Sequence, residues 1–132
     1  MIYLMTFFIP VTMTIVPLRE IAIETSTAYL VPGTNDLVKG SYALTTNLSH
    51  QKIKACLTTP LPKQLKLFLA LEAPLGAVSL GLQELSTTSK VLVEGINPIA
   101  QKGLSMTYKL SYRDLIPPNT YTEYVKIFIE DE

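Results

Sequence analysis

A two-residue alternation of apolar and polar side chains runs through most of this chain, and it constrains the fold more than any other feature. The alternation is clearest over residues 64–72, 104–112 and 121–130. It places one set of side chains in a core and the other set towards water, as in half-buried antiparallel strands. The leucines between Leu65 and Leu71 would suit a helix by intrinsic propensity, but their strict alternation favours a strand. The sequence therefore predicts an all-β protein.

Proline, glycine and asparagine separate the alternating runs at short intervals, which is typical of a sandwich or barrel. We predict strands over residues 11–24, 38–46, 51–58, 64–73, 86–93, 104–112 and 121–129. About seven short strands in one domain is the number found in an immunoglobulin-like antiparallel β-sandwich. The segment 77–85 is ambiguous and is compatible with a short helical turn. No linker divides the chain, so residues 11–132 are expected to form a single β-sandwich domain.

The first ten residues are uncharged and apolar, and two interpretations stay open for residues 1–10. They are either a signal-peptide remnant, although the basic start and the small-residue cleavage site are missing, or a leading strand that packs on the domain. Pro17 interrupts the strand that follows, as is usual for an edge strand. We therefore take Val11, Met13 and Ile15 as a candidate edge strand that exchanges or pairs with a neighbour.

The charge balance argues against a nucleic-acid partner. Eleven basic residues match eleven acidic ones, and charged residues make up only 17% of the chain. Contacts with phosphates need an excess or a stripe of Lys and Arg. No apolar run reaches the roughly 20 residues that a transmembrane helix requires, so we expect no membrane span. A single cysteine, Cys56, excludes an intramolecular disulfide.

No residue set identifies a reaction. His50 is the only histidine; on one continuous strand it would stand about 20 Å from Cys56, far beyond hydrogen-bond reach. The carboxylates are scattered singly, apart from the acidic residues at the C-terminus. No paired carboxylates, metal-ligand spacing or glycine-rich phosphate loop is present. We expect a protein without catalytic, metal-binding or cofactor-binding residues, and hence not an enzyme.

Three aromatic side chains fall on the polar alternates of their strands, namely Phe68, Tyr124 and Phe128. Outward aromatic residues can form a platform for a glycan or a peptide partner. They can equally lie against a second sheet or on a face that a partner covers. Tyr121 suits a tyrosine corner, in which the hydroxyl bonds back to the backbone of the turn; an ordinary core tyrosine is the other interpretation.

In the C-terminal half, the segments 85–96 and 103–110 are followed by 118–125, which reads Pro-Asn-Thr-Tyr-Thr-Glu-Tyr-Val. These segments resemble exported bacterial domains of the fimbrial-subunit-like and spore-coat-U-like β-sandwich type. The opening strand over 11–21, with its alternating Val and Thr and its proline, is similar too. The resemblance covers most of the chain from Val11 onward. It implies an exported protein, periplasmic, secreted or on the cell surface, with a surface-structural or adhesive role.

Two functional hypotheses follow from these features. The leading one is a non-enzymatic exported β-sandwich protein that acts through strand edges on protein neighbours or by self-association. The alternative is a small carbohydrate- or peptide-binding module that uses the three aromatic residues.

Overall fold

The computed structural model describes residues 13–24, 37–112 and 123–132, and every regular element in these ranges is a β-strand. The strands are β1 (Arg19–Ile23), β2 (Val38–Thr46), β3 (Gln51–Leu57), β4 (Leu65–Leu71), β5 (Val78–Ser79), β6 (Gln83–Glu84), β7 (Lys90–Ile96), β8 (Ile99–Tyr112) and β9 (Val125–Asp131). The prediction of an all-β protein is confirmed for this part of the chain.

The strands form two antiparallel sheets. Sheet A has the order β1-β2-β8-β4-β6, and sheet B has the order β5-β7-β3-β9. Among the described strands, only β1 and β2 are both consecutive in the chain and paired with each other. Every later connection carries the chain from one sheet to the other. The two sheets are therefore tied together by the path of the chain itself.

The core lies between the sheets and is filled by the inward alternates. In β3 these are Gln51, Ile53, Ala55 and Leu57, and in β4 they are the four leucines from Leu65 to Leu71. Residues of both sheets join one hydrophobic cluster. The two-residue period identified in the sequence thus corresponds to the buried face of each long strand.

The strand bounds differ from the predicted ones at informative places. β2 spans the predicted residues, whereas the first strand starts at Arg19 instead of residue 11. Pro17 has no N–H to donate, and the side chain of Asn47 replaces a strand partner by bonding Val16 O and Leu18 N–H. The ambiguous segment 77–85 holds the short strands β5 and β6. The described residues thus contain nine strands, where the sequence predicted about seven.

Of the β-bulges among the described strands, one in each sheet contains a glycine with positive φ. In sheet A, Lys102 and Gly103 together oppose Ala43, and φ of Gly103 is 68°. In sheet B, residues 94 and 95 together oppose Lys52, and φ of Gly95 is 72°. A side chain is disfavoured in this left-handed region. The bulges therefore depend on glycine for their backbone conformation.

Candidate functional site

Among the described strands, the long edges of both sheets lie on the same side of the molecule. β1 ends sheet A and β9 ends sheet B, and an ion pair between Arg19 and Asp131 joins them. The opposite ends of the sheets are the two-residue strands β5 and β6. Short edges give a neighbouring chain little to pair with, whereas long edges are templates for another strand. The β1–β9 side is therefore where strand addition is possible.

The hydrogen-bonding direction along β1 follows from its two ends. Leu18 O accepts a bond from the N–H of Asn47, the residue that follows β2, and Glu24 N–H donates to Ser41 O. Because hydrogen-bonded and non-hydrogen-bonded pairs alternate in an antiparallel ladder, the even-numbered residues of β1 face β2. The backbone groups that point away from β2 belong to Arg19, Ile21 and Ile23. No described strand pairs with them.

The same reasoning gives the free groups of β9. Tyr124 O accepts from Thr58 N–H, and Glu132 N–H donates to His50 O. The even-numbered residues therefore face β3. The backbone groups that point to the open side belong to Val125, Ile127, Ile129 and Asp131, and no strand among the described residues pairs with them. The three apolar side chains of this set pack against the core but stay only partly buried.

A buried glutamine bridges the two edge strands at one end; we call it the Gln51 bridge. Gln51 is only 1% exposed. Its amide nitrogen donates to Asp131 Oδ1 at 2.6 Å and to Ser49 O at 3.0 Å. Arg19 Nη1 donates to both Gln51 Oε1 and Asp131 Oδ1, at 3.2 Å each. These bonds tie β1 in sheet A to β3 and β9 in sheet B.

The segment before β1 is exposed. Met13 and Ile15, two of the residues of the candidate edge strand, are 84% and 86% exposed and precede the strand. Val11 lies outside the described residues. The edge strand of sheet A is therefore formed by Arg19–Ile23, and the apolar alternates at 13 and 15 lie beyond it.

The three predicted aromatic residues are divided between the sheets. Phe68 lies in β4 of sheet A, while Phe128 lies in β9 of sheet B, with Tyr124 immediately before that strand. Tyr124 is 70% exposed, and Phe128 is half-buried. Phe68 therefore cannot share one platform with the other two, although Tyr124 and Phe128 lie on the same alternate.

Tyr121, the candidate for a tyrosine corner, lies outside the described residues. A different tyrosine makes a comparable bond: the hydroxyl of Tyr42 in β2 donates to Glu72 O at 2.5 Å. Tyr42 is fully buried, and this burial, reinforced by the negative charge of Glu72, raises the pKa of its hydroxyl. The hydroxyl is therefore protonated and available as a donor. Sequence reasoning missed this bond because its partner is 30 residues away.

The outer side of β3 and β9 gathers charged and aromatic side chains. Lys54 pairs with Phe128 across the ladder and Lys52 with Glu130. Glu130 lies 2.8 Å from Lys54 Nζ and 3.7 Å from Lys52 Nζ. Hydrogen bonding to Lys54 and the charges of both lysines lower the pKa of Glu130. Lys126 Nζ lies 5.4 Å from the centre of the Phe128 ring.

A shallow depression of about 270 Å³ lies where the chain passes from β3 to β4. Its wall includes Pro60, Leu61 and Pro62, with Lys63 and Glu84 also lining it. This volume is near the lower limit of small-molecule sites. No described polar side chain is buried without a partner here or elsewhere, so nothing in the depression marks a ligand.

The two residues considered for catalysis, His50 and Cys56, lie in different elements of the structure. His50 lies in the loop between β2 and β3 with a φ of 55°, and Cys56 is half-buried on the outer side of β3. Within the described ranges, no three His, Cys, Asp or Glu side chains converge as a metal site would require. In the same ranges, no helix has the length and hydrophobicity to cross a membrane.

No protein-family model, curated protein or solved structure matches this chain.

Proposed function

We propose that the protein is a non-enzymatic, exported β-sandwich with a surface-structural or adhesive role, and that it acts by strand addition at the β1–β9 side. One observation carries the proposal: two long sheet edges lie side by side, and their outward backbone groups pair with no described strand. An added strand would bond to the outward N–H and C=O groups of either edge. It would also cover the half-buried Val125, Ile127 and Ile129.

The strand order supports an immunoglobulin-like arrangement. In immunoglobulin domains one sheet has the order A-B-E-D, and the other contains C next to F and F next to G. β1, β2, β8 and β4 can be read as A, B, E and D, and β3 and β9 as C and F. The position of strand G, on the free side of β9, is occupied by no strand among the described residues. This is the position that a strand from a neighbour would fill.

The surface chemistry is compatible with association. The centre of the outer side of sheet A carries small side chains, namely Ser41, Ala43, Thr45, Ser105 and Thr107. The formal net charge of the chain is zero, so two copies experience little electrostatic repulsion. The exported location rests on the resemblance to fimbrial-subunit-like and spore-coat-U-like domains.

The test places a charge on the inward side of the β9 edge. Ile127→Lys leaves the backbone groups of the ladder to β3 unchanged, and the half-buried lysine can reach water. Val78→Lys controls for the added charge alone, since it places a lysine on the short edge strand β5, where Val78 is 56% exposed. Sedimentation velocity of the full chain measures the assembly state. We expect wild type and Val78→Lys to associate and Ile127→Lys to be monomeric.

Two results would overturn this proposal. One is a wild-type chain that is monomeric up to about millimolar concentration, where even weak specific contacts form. The other is equal loss of association in both lysine variants. Circular dichroism checks that each variant folds. Should Ile127→Lys fail to fold, Ile23→Pro blocks the β1 edge instead, because that N–H is also outside the ladder.

The alternative, a small carbohydrate- or peptide-binding module, now concerns Tyr124 and Phe128 alone, since Phe68 lies on the other sheet. The observation that favours this alternative is the position of Lys54 and Lys126 beside Phe128.

A further inference from the structure

The outer side chains of β9 are complementary to those of a second β9 that runs antiparallel to it. The alternates that face away from the core are Lys126, Phe128 and Glu130. A cation and an anion therefore lie at equal distances on either side of an aromatic ring. A rotation of 180° about an axis at the ring exchanges the positions of the two charges. Two copies of this edge can therefore match each other.

The backbone groups of β9 restrict how a second copy can pair with it. The groups that point to the open side belong to Val125, Ile127, Ile129 and Asp131, all of them odd-numbered. In an antiparallel ladder, residues that exchange N–H···O bonds lie opposite each other. Odd-numbered residues must therefore lie opposite odd-numbered residues of the partner. The even-numbered residues form the intervening pairs, whose side chains are in closer contact because their Cα atoms are only about 4.5 Å apart.

One register obeys this rule and also matches the outer side chains. It places Phe128 opposite the partner's Phe128, and Lys126 opposite the partner's Glu130. On the inner side it places Ile127 opposite the partner's Ile129. Because the arrangement is two-fold symmetric, the charged pair and the apolar pair each occur twice. A shift of two residues in either direction puts a charged side chain opposite the partner's Phe128 instead.

The charged side chains of β9 are available for this pairing. No acidic side chain of the described residues makes an ion pair with Lys126. Its Nζ lies 5.4 Å from the centre of the Phe128 ring, and so leans towards the position of the two-fold axis. Lys52 and Lys54 approach Oε1 of Glu130, at 3.7 and 2.8 Å. The other oxygen, Oε2, can therefore accept a bond from the partner's Lys126.

The other long edge among the described strands does not match itself in this way. The outer alternates of β1 are Glu20 and Ala22, and Glu24 follows the strand. No register of β1 against a second β1 therefore brings opposite charges together on this side, and some bring two glutamates together. Like charges directly across a ladder are destabilising. The outer side chains of the two edges thus select β9 as the strand that pairs with its own copy.

We propose that the partner of the β9 edge is β9 of a second copy of this chain, paired antiparallel about a two-fold axis at Phe128. The inference rests on strand addition at the β1–β9 side and names the strand that is added. About eight backbone hydrogen bonds join the B sheets of the two copies into one continuous sheet. The ladder ends where Val125 lies opposite the partner's Asp131. Because a two-fold contact closes on itself, the product is a dimer and not a filament.

Disulfide trapping of the full chain tests the register directly. Cys56 lies across the ladder from Lys126, so every variant carries Cys56→Ser to prevent a disulfide within one copy. Phe128→Cys should form a disulfide-linked dimer under mild oxidation, because the two residues 128 are within disulfide distance. Lys126→Cys and Glu130→Cys should each stay unlinked alone, since each is about 13 Å from its counterpart in the other copy. The two should link when mixed, as non-reducing electrophoresis will show.

Charge reversal tests the ion pairs without a covalent bond. Lys126→Glu and Glu130→Lys each place two like-charged pairs across the joined strands, and each should raise the dissociation constant of the dimer about tenfold. An equimolar mixture restores two opposite pairs, so it should associate within about threefold of the wild type. Lys109→Glu is the matched control, because this exposed lysine lies on the outer side of sheet A, and it should leave the dissociation constant unchanged. Sedimentation velocity measures association, and circular dichroism verifies each fold.

Three results would overturn this inference: no linked dimer of Phe128→Cys, a mixture of the charge variants that associates no better than either alone, or growth of the wild type beyond a dimer. If the wild type associates and Ile127→Lys abolishes the association, strand addition stands and only the β9 partner is wrong. Equal loss of association in Ile127→Lys and Val78→Lys contradicts strand addition itself. A monomeric wild type overturns both proposals, so the two failures are distinguishable.

Discussion

Replacing Gln51 by methionine should loosen the β1–β9 side of the molecule. Methionine has a similar length and fills the buried space, but it cannot hydrogen-bond to the groups that the amide joins. Asp131 Oδ1, Ser49 O and Arg19 Nη1 would each lose a bond of 2.6–3.2 Å. The variant thus tests whether the Gln51 bridge holds β1 to sheet B or contributes only to the loop between β2 and β3.

The size of the effect follows from the exposure of the partners. A hydrogen bond to a charged group contributes about 1.5–3 kcal/mol, and a neutral one about 1 kcal/mol. The side chains of Arg19 and Asp131 are 39% and 75% exposed, so water replaces much of what they lose. A net loss of about 2 kcal/mol in the free energy of unfolding is therefore expected. For a chain of this length it lowers Tm by about 6–8 °C.

Urea unfolding measures the global loss, and hydrogen exchange shows where it falls. The amides of Glu20, Ala22 and Glu24, which face β2, should lose more protection than those of β4. Glu130→Gln is the control, because it removes the ion pairs with the neighbouring lysines but leaves the bridge intact. Unchanged protection of β1 in Gln51→Met, or an equal loss in Glu130→Gln, would refute the role of the bridge.

Three further predictions concern single contacts. Tyr42→Phe should lower the free energy of unfolding by about 1–2 kcal/mol, because it leaves the carbonyl of Glu72 without its donor. Burial raises the pKa of Tyr42, so the stability of the wild type should decline above about pH 10. The stability of the variant should decline less over the same range. Gly103→Ala should lower the free energy of unfolding in urea by about 1 kcal/mol, because alanine is disfavoured in this backbone conformation. No atom lies within 4 Å of the added methyl group, so a steric clash does not contribute. A variant as stable as the wild type would contradict this. NMR titration should find the pKa of Glu130 below its usual range, and Lys54→Gln should raise it. A pKa lowered in the folded state means that this contribution to stability is present at neutral pH and is lost as the pH falls through that pKa.

Which side chains point to the core and which point outward could be predicted from the sequence, because alternation is a local property. The inward sets of β3 and β4, and the strand character of the leucines from 65 to 71, follow from the two-residue period alone. The bounds of the first strand did not, because its start depends on the side chain of Asn47, 29 residues from Leu18. The short strands β5 and β6 escaped prediction because two residues are too few to show a period.

The candidate site residues were likewise predictable from the sequence only in part. The sequence predicted Phe68, Tyr124 and Phe128 as outward aromatics, but it could not assign Phe68 to the other sheet. Nor did it single out Lys126 or the buried amide of Gln51. Each of these depends on which strands are neighbours, and after β1 and β2 all pairings join strands that are not consecutive.

The sequence by itself determined that this protein is built from strands and which residues of the long strands face the core. Only the tertiary structure decided which strands pair, that β1 and β9 leave two long edges on one side, and that Lys54 lies beside Phe128. The physical reason is that a two-residue period specifies a face and not a partner. The partner is selected by packing and hydrogen bonding between segments far apart in the chain.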